Sequence, residues 1–256
     1  MNLVMPMAGR GSRFAREGIL TPKPLVELGG KPFFWWAVES IRRSAPGGAL
    51  EQISFVVLEE HIERFHIDQT ILGFYPEAKV IAIPEVTAGS AETAAIGLRV
   101  IDNSAPVAIN DCDHAFLTGP LEETIHALTH GNASAALMTF QSSNPGFSYV
   151  RFDENGKIIG TVEKQVVSTY AIAGCYLFRS AALYLQHYEQ YLKSCSYQEL
   201  FISGIYNNEI LASGGNVKLH SLLDHFPFGT PEEYRAVEQR MLTALGAWIG
   251  RPSHNA

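Results

Sequence analysis

Residues 5–14 read Met-Pro-Met-Ala-Gly-Arg-Gly-Ser-Arg-Phe and continue a short apolar segment that is typical of a buried strand. Gly9 and Gly11 allow the chain to turn tightly and to approach a ligand closely. A loop of exposed backbone N–H groups flanked by Arg10 and Arg13 is suited to bind phosphate. Its spacing is neither that of a P-loop nor that of a dinucleotide-binding fingerprint. An ordinary glycine turn is the alternative interpretation.

A second stretch, at residues 20–26, reads Leu-Thr-Pro-Lys-Pro-Leu-Val and places Lys23 between two prolines. Proline fixes its own φ near about −65°, and it also holds the preceding residue in an extended conformation. The backbone that carries Lys23 is therefore stiff, as suits a cation that has to be held in one position.

Together, the stretches Gly9–Phe14 and Pro22–Leu25 resemble the signature of the nucleoside-triphosphate:sugar-1-phosphate nucleotidylyltransferases, also called sugar-nucleotide pyrophosphorylases. The resemblance extends over nearly the whole chain, from Met5 to Tyr234. It implies a nucleotide site and a set of charged catalytic residues. The implied nucleotide-binding residues are Ala8, Gly9, Gly11, Ser12, Arg13, Gly89 and Ser90, and the implied catalytic residues are Arg13, Lys23 and Asp113.

The composition excludes several classes of protein. Of the 256 residues, 46% are hydrophobic and 18% are charged, so a large core is expected and disorder is not. A formal net charge of −7 argues against a general binder of nucleic acid or anionic membranes. The odd number of cysteines, without metal-site spacing, favours a reducing compartment. With no apolar run of membrane-spanning length and no signal-peptide pattern, we expect a soluble, cytoplasmic protein.

Strand and helix patterns alternate in the first half of the chain, which indicates βαβ units and a parallel sheet. Ligands of such sheets bind at the carboxyl ends of the strands. The second half is predicted to be more antiparallel, with a hairpin whose turn is Asp153–Gly156. The predicted strands are 53–58, 79–83, 106–110, 135–140, 147–152, 157–162, 170–178 and 217–220, and the predicted helices include 33–45, 59–72, 90–101 and 179–193.

The resemblance implies an α/β fold formed by a Rossmann-like nucleotidyltransferase domain of the GT-A-like type. The expected central sheet is mixed and mostly parallel, with helices on both faces and a smaller antiparallel hairpin region. We expect residues 1–256 to form a single domain, in which about 1–118 binds the nucleotide and about 119–256 binds the acceptor and ends in a C-terminal helix.

The segment Thr87-Ala-Gly-Ser-Ala-Glu-Thr93 opens the helix predicted at 90–101. Gly89 permits the close approach of a flat group, and a helix N-terminus offers unpaired N–H donors. In the resembled family the matching segment lies against the nucleotide base. Many members carry a glutamine where this chain has Ala88, so the identity of the base stays open. A plain helix cap at Gly89 and Ser90 is the alternative.

Two carboxylates follow the strand predicted at 106–110, in the sequence Asn110-Asp-Cys-Asp-His114. Neighbouring carboxylates repel each other unless a cation or water intervenes, and oxygen ligands beside a triphosphate suit Mg²⁺. The resemblance implies Mg²⁺ as the cofactor and Asp113 as its ligand, with Asp111 as the competitor. A solvated loop is the alternative, and His114 is expected to be structural.

Glu163 and Lys164 follow the predicted hairpin directly. On an ordinary surface such a pair would simply be solvated. The order of hairpin, Glu-Lys and the next strand resembles the acceptor half of the family, in which the lysine binds the sugar phosphate and the glutamate accepts hydrogen bonds from sugar hydroxyls. The family usually has glycine in the sugar pocket at the position that matches Tyr149, so the nature of the acceptor stays open.

The C-terminal part contains a Gly-Thr-Pro-Glu sequence at residues 229–232 that resembles the closing motif of the family. Thr230 with Glu233 predicts a capping box at the start of a helix. Ser196 with Glu199 predicts another.

Relatives commonly carry a second metal-binding aspartate where this chain has Pro227. Proline cannot supply a side-chain ligand. Asp224 would replace it only if the backbone bends differently, so we expect a metal held mainly by Asp113, with Asp111 nearby, and by phosphate oxygens and water.

The predicted activity is nucleotidyl transfer in sugar-nucleotide or polysaccharide biosynthesis. A phosphate oxygen of a small phosphorylated acceptor, first of all a sugar 1-phosphate, would attack the α-phosphorus of a nucleoside triphosphate, and pyrophosphate would leave. Neither a nucleic acid nor a membrane is an expected partner, and homo-oligomerisation stays open.

Three other functions compete with this prediction. One is a cytidylyltransferase that acts on a phosphorylated non-sugar molecule such as an amino alcohol. Another is a glycosyltransferase with an Asp-x-Asp metal site at Asp111 and Asp113, a class that does not need the Gly9–Arg13 loop. The third is a non-catalytic nucleotide-binding relative, against which the intact set of charged residues argues.

Overall fold

The computed structural model describes residues 1–48, 50–101, 105–211 and 214–249, without the side chains of 208 and 209. Within them lie a ten-stranded mixed sheet and a separate two-stranded ribbon. The strands are β1 (Asn2–Pro6), β2 (Glu27–Leu28), β3 (Lys31–Pro32), β4 (Ile53–Leu58), β5 (Lys79–Ile83), β6 (Val107–Asn110), β7 (His114–Thr118), β8 (Ala135–Gln141), β9 (Ser148–Phe152), β10 (Ile158–Val162), β11 (Tyr170–Phe178) and β12 (Val217–Pro227).

Helices separate most of the strands in the first half of the chain, whereas β8 to β11 follow one another without a helix. The helices are α1 (Ser12–Arg16), α2 (Phe33–Arg42), α3 (Glu59–Phe65), α4 (Ile67–Phe74), α5 (Ser90–Leu98), α6 (Glu122–Thr129), α7 (Ala181–Ser194), α8 (Ile202–Ile205) and α9 (Pro231–Leu245). Single turns of 3₁₀ helix occur at Lys23–Leu25, Pro46–Gly48 and Gly246–Trp248, and a π-helical turn at Tyr206–Ile210.

The sheet is mixed, as predicted. Strands β5, β4, β1 and β6 lie side by side and parallel. Strand β11 runs antiparallel to β6 and β8, and β12 is parallel to β8 and antiparallel to β7. The predicted hairpin is formed by β9 and β10 and joins the sheet through β11. Because β1, β5 and β6 are parallel, the loops that follow them meet at one edge of the sheet.

Helices cover both faces of the sheet, which confirms that part of the prediction. Successive side chains of a strand point to opposite faces. Leu3 and Met5 of β1 accordingly belong to a core that includes residues of α2 and α9. Val4 belongs to a second core, which includes residues of α5 and α7.

Three local predictions differ from the structure. The helix predicted at 59–72 is two helices, α3 and α4, because His66 adopts a left-handed φ of 51° that ends the first of them. The strand predicted at 217–220 continues to Pro227, where it pairs with the unpredicted strand β7. Helix α6 was not predicted either.

The capping box predicted at Ser196 and Glu199 is wrong, since α8 begins only at Ile202 and has no side-chain cap. The chain at Leu200 is instead held by backbone hydrogen bonds to residues 88 and 91. The capping box of Thr230 and Glu233 is present as predicted, with Pro231 as the first residue of α9.

No helix in the described part of the chain combines the length and the apolarity needed to cross a bilayer. The three cysteines are free thiols. Residues 250–256 of the predicted single domain lie outside the described residues.

Candidate active site

The loop after β1 turns through Gly11, which has a left-handed φ of 61° and precedes α1. A Cβ at this position would lie 3.3 Å from the Cβ of Lys23. Glycine is therefore needed both for the conformation and for the approach of Lys23. Gly9 has open space around it and lines the cleft directly. The turn brings Arg13, on α1, into the same cleft as Lys23.

Lys23 and Asp113 form an ion pair in this cleft, with 2.6 Å between Nζ and Oδ2. The two side chains are 27% and 25% exposed. Burial lowers the pKa of Lys23, but the negative charge of Asp113 and its neighbours more than offsets this and raises it above the usual value. Burial alone would raise the pKa of Asp113. The positive charge of Lys23 lowers it by more, so the pKa of Asp113 lies below its usual value. Both groups are therefore charged at neutral pH.

Asp111 lies beside this pair and feels the positive charge of Lys23, but it does not form an ion pair with it. None of the described residues forms a hydrogen bond or an ion pair with its carboxylate. Burial, together with the charge of Asp113, raises the pKa of Asp111 to about 7. Gly174 of β11, with φ of 69°, makes room for this side chain, since a Cβ there would lie 2.8 Å from Asp111 Oδ2. A buried carboxylate beside a second one calls for a cation.

Two carboxylates at this place suit a divalent cation such as Mg²⁺. Mg²⁺ prefers oxygen ligands, keeps several waters and often binds through only one or two carboxylates. The described residues contain no group of three or more potential metal-binding side chains. Asp224 is not a third ligand, because its Oδ1 accepts a hydrogen bond from Arg240 at 2.7 Å and it does not line the cleft.

The closing motif packs directly against Asp113. A Cβ at Gly229 would lie 2.5 Å from Asp113 Oδ2, and the N–H of Phe228 donates to the carbonyl of Asp113 at 2.9 Å. Pro227 pairs with His114 between β12 and β7. Residues 227–229 thus position the carboxylate of Asp113, and Pro227 supplies no side-chain ligand for a metal ion.

His114 lines the adjoining chamber and is held by two side-chain contacts. Its Nε2 lies 3.0 Å from Asn110 Oδ1, and its Nδ1 lies 3.3 Å from Nε2 of His225. Burial lowers the pKa of His114 to about 4, so the ring is neutral at physiological pH.

Glu163 lies at the end of β10, between two hydroxyl groups. Its Oε1 accepts hydrogen bonds from Ser148, at 2.6 Å, and from Ser203. Its Oε2 has no partner among the described residues. One carboxylate oxygen therefore fixes the side chain, and the other can accept a hydrogen bond from a ligand.

Lys164 adopts a φ of 53°, which is rare for a residue other than glycine. Its N–H donates to the carbonyl of Phe147 at 3.1 Å, and its Nζ lies 5.2 Å from the ring centroid of Phe201. Such conformations concentrate at functional sites. Here the backbone turns so that Glu163 and Lys164 both line the cleft.

Tyr149 does not occupy this pocket. It is fully buried, and its hydroxyl donates to the carbonyl of Asn144 at 2.7 Å. Ser148, the preceding residue of β9, faces the cleft instead. The position therefore does not restrict the acceptor sterically.

The segment at the start of α5 is clamped by a distant part of the chain. Leu200 N–H donates to the carbonyl of Ala88 at 3.0 Å, and Ala91 N–H donates to the carbonyl of Leu200 at 2.8 Å. A Cβ at Gly89 would lie 2.5 Å from the backbone N of Leu200, so only glycine permits this approach. The clamp also brings Phe201 to the cleft wall.

These elements enclose a cleft of about 650 Å³ and an adjoining chamber of about 410 Å³. Most of the residues predicted from the sequence line them: Ala8, Gly9, Arg13, Lys23, Gly89, Ser90, Asp111, Asp113, Glu163 and Lys164. Gly11 and Ser12 do not, since Gly11 shapes the loop and Ser12 begins α1. Further lining residues that were not predicted to belong to the site are Ser148, Tyr176, Glu199, Phe201 and Glu233.

Comparison with known proteins identifies the family of the chain. Residues 3–239 match the family described as nucleotidyl transferase. No curated protein matches the chain.

Solved structures share the fold. A nucleoside-diphosphate-sugar pyrophosphorylase from Vibrio cholerae RC9 is 24% identical, with a TM-score of 0.76 over 93% of this chain and 99% of that one. A Bacillus anthracis protein assigned as a glucose-1-phosphate thymidylyltransferase is 19% identical, with a TM-score of 0.73 over 94% of both chains. The inositol-1-phosphate CTP transferase of T. maritima is 16% identical, with a TM-score of 0.70 over 94% of this chain and 96% of that one.

The family match covers almost all of the described residues and includes the phosphate loop, both aspartates and the Glu-Lys pair. The chain therefore belongs to the nucleotidyl transferase family and is a nucleotidyltransferase.

Proposed function

We propose that the protein joins a nucleoside monophosphate, taken from a nucleoside triphosphate, to the phosphate of a small acceptor, first of all a sugar 1-phosphate, and releases pyrophosphate. The observation that carries this proposal is the composition of one cleft. Arg13, Lys23 and Asp113 lie in the same cleft as Glu163 and Lys164. One wall thus carries the groups suited to a triphosphate, and the other carries those suited to a phosphorylated acceptor.

The reaction needs little proton transfer, because the acceptor phosphate is already an anion near neutral pH. A phosphate oxygen of the acceptor forms the new bond to the α-phosphorus while the bond to the pyrophosphate oxygen breaks. The protein then has to hold the reactants in line and neutralise their charge. Repulsion between the two anions is the main obstacle, and fixed cations reduce it.

The cations of the cleft divide this task between the two substrates. Arg13 and the backbone of the Gly9–Arg13 loop bind the triphosphate. Lys23, held between two prolines and by Asp113, faces the reacting phosphate. Lys164 binds the acceptor phosphate, and the Oε2 of Glu163 accepts a hydrogen bond from an acceptor hydroxyl.

Asp111 and Asp113 are the residues that would hold Mg²⁺. When bound, Mg²⁺ supplies charge neutralisation at the phosphate oxygens. The lack of a direct ion pair at Asp111 supports this assignment, since Lys23 pairs directly with Asp113.

The acceptor need not be a sugar. The T. maritima neighbour is described as an inositol-1-phosphate CTP transferase, and Tyr149 leaves the pocket of this chain unobstructed. A cytidylyltransferase acting on a phosphorylated non-sugar molecule is therefore the second candidate. A glycosyltransferase would leave the phosphate loop and Lys23 without a role.

A substrate matrix tests the proposal. The common nucleoside triphosphates are combined with a panel of sugar 1-phosphates, phosphorylated cyclitols and phosphorylated amino alcohols, and pyrophosphate release is measured. We expect release that requires one triphosphate and one acceptor class together. Release without any acceptor, or none with every pair, would contradict the proposal.

A further inference from the structure

A separate cavity of about 280 Å³ lies outside the active-site cleft, beside the β9–β10 hairpin and the C-terminal end of α7. Its volume is just below the usual lower limit of about 300 Å³ for ligand pockets, so it suits a small metabolite. Six of its lining residues carry the argument, and none of them lines the cleft or its adjoining chamber: Arg151, Thr161, Tyr191, Cys195, Tyr197 and Asn207.

The side chains that line this cavity include several hydroxyl groups, one amide and one cation. Among the described residues no carboxylate pairs with Arg151 or lines the cavity. Arg151 and Asn207 are neighbours, since a Cβ at Gly160 would lie 3.2 Å from Arg151 Nη2 and 2.5 Å from Asn207 Oδ1. That Oδ1 accepts the N–H of Thr161, which leaves the Nδ2 of Asn207 as a donor. The atom of Asn207 that lies near the guanidinium is an acceptor oxygen, so the guanidinium of Arg151 is the group suited to bind an oxyanion.

A short path connects the cavity with the acceptor side of the cleft. The hydroxyl of Thr161 donates to the carbonyl of Ser203 at 2.7 Å, and the hydroxyl of Ser203 donates to Oε1 of Glu163. The segment at 195–201 belongs to both sites, because its first residues line the cavity and Phe201 lines the cleft. A ligand that moves this wall therefore acts on the groups that hold Glu163.

We propose that this cavity is a second ligand site for a small metabolite with a phosphate or carboxylate group, and that its occupant changes the affinity of the active site for the acceptor. The oxyanion binds to the guanidinium of Arg151. The effect on the acceptor is transmitted through Ser203 and rests on the proposed function. The binding of the oxyanion in the cavity does not depend on the proposed function.

Cys195 provides a readout of occupancy that does not depend on turnover. It lines the cavity and is partly exposed, whereas Cys112 and Cys175 are only 4% and 0% exposed. Alkylation of Cys195 by iodoacetamide, followed by mass spectrometry of the digested protein, therefore reports whether the cavity is open. The Cys195→Ser variant shows which signal belongs to this thiol.

The probes are inorganic phosphate, a sugar phosphate and a dicarboxylate, each at up to about 10 mM. A probe with a Kd of about 1 mM would leave roughly one cavity in eleven empty at that concentration, so alkylation should slow about tenfold. Slowing by the phosphates alone or by the dicarboxylate alone identifies the group that is bound. No slowing by any probe would overturn the proposal.

Two arginine variants show where the probe binds. Arg151→Gln removes an exposed charge and should abolish the protection of Cys195. Arg64→Gln is the control, because Arg64 is an exposed arginine on α3 that pairs with Glu60 and lines neither site. Equal protection in both variants would contradict binding at Arg151.

The coupling is measured as the KM for the acceptor, with and without the protecting probe. We expect a change of about fivefold or more in Arg64→Gln and none in Arg151→Gln, comparable to the smallest typical allosteric couplings. Protection of Cys195 without any change in KM would refute the coupling and leave the nucleotidyl transfer untouched. Absence of pyrophosphate release by the parent protein with every acceptor would instead count against the proposed function.

Discussion

Replacing Lys23 by methionine removes the charge that faces the reacting phosphate and keeps most of the side-chain volume. In the intact protein, Lys23 Nζ lies 2.6 Å from Asp113 Oδ2, and the two side chains are 27% and 25% exposed. An exposed pair contributes about 0–1 kcal/mol, and breaking a fully buried one costs about 3–5 kcal/mol. For this intermediate burial we expect a loss of about 2 kcal/mol in the free energy of unfolding.

The loss of activity should be larger than the loss of stability. Removing one preorganised donor from a reaction centre typically lowers kcat by about 10²–10³, or about 3–4 kcal/mol. Lys23→Met should therefore retain its fold and lose turnover by that factor. Urea unfolding measures the first quantity, and pyrophosphate release with saturating substrates measures the second.

A double variant separates the two effects. In Lys23→Met, Asp111 and Asp113 remain together without a cation. Adding Asp113→Asn removes one of these charges and should restore part of the stability while turnover stays low. Arg64→Met is the control, since it breaks an exposed pair and should cost less than about 1 kcal/mol. Turnover of Lys23→Met within about twofold of the parent enzyme, a change of less than about 0.5 kcal/mol, would refute this account.

Four further predictions concern other parts of the site. Lys164→Ala should raise the acceptor KM at least about tenfold, as expected for a lost charge-assisted hydrogen bond. Calorimetry should show unchanged nucleotide binding in this variant, and an equal loss of nucleotide affinity would place the residue in the other half-site. Gly229→Ala should lower turnover at least about tenfold, because its Cβ would lie 2.5 Å from Asp113 Oδ2. Gly119→Ala is the control and should leave turnover unchanged, because no atom lies within 4 Å of its Cβ. Similar turnover in the two variants would argue against this contact. The pKa of Asp111 is raised from 3.8 to about 7 in the folded protein, so the folded state binds this proton more tightly and the free energy of unfolding should fall as pH rises between these values. Urea unfolding in the presence of a chelator should show that Asp111→Asn flattens this part of the pH dependence. An unchanged slope would count against the raised pKa. Mg²⁺ titrated calorimetrically into the protein without nucleotide should bind only weakly, since the chain supplies two carboxylates, and tight binding would contradict this metal site.

Much of the site could be predicted because it depends on local sequence. Short loops after parallel strands gather at one edge of the sheet, so the phosphate loop and the aspartates after β6 were expected to meet. The alternation of side chains along β9 could also have been used. It places Ser148 towards the cleft and Tyr149 in the core.

What could not be predicted depends on contacts between distant segments. The Ser196–Glu199 pattern satisfies a local capping rule, but backbone bonds from Leu200 to Ala88 and Ala91 outweigh it. No local feature indicates these bonds, because both partners lie more than a hundred residues away. The same applies to Gly229, whose role is to leave room for the Asp113 side chain.

The central claim is that an acceptor phosphate oxygen attacks the α-phosphorus, and its most direct test follows the oxygens of the acceptor. The acceptor phosphate is labelled with ¹⁸O, the reaction is carried out with unlabelled triphosphate, and the masses of both products are measured by mass spectrometry. We predict a nucleoside diphosphate-linked acceptor that retains every labelled oxygen, together with unlabelled pyrophosphate. Label in the pyrophosphate, or a free nucleotide formed without any linked product, would contradict the account.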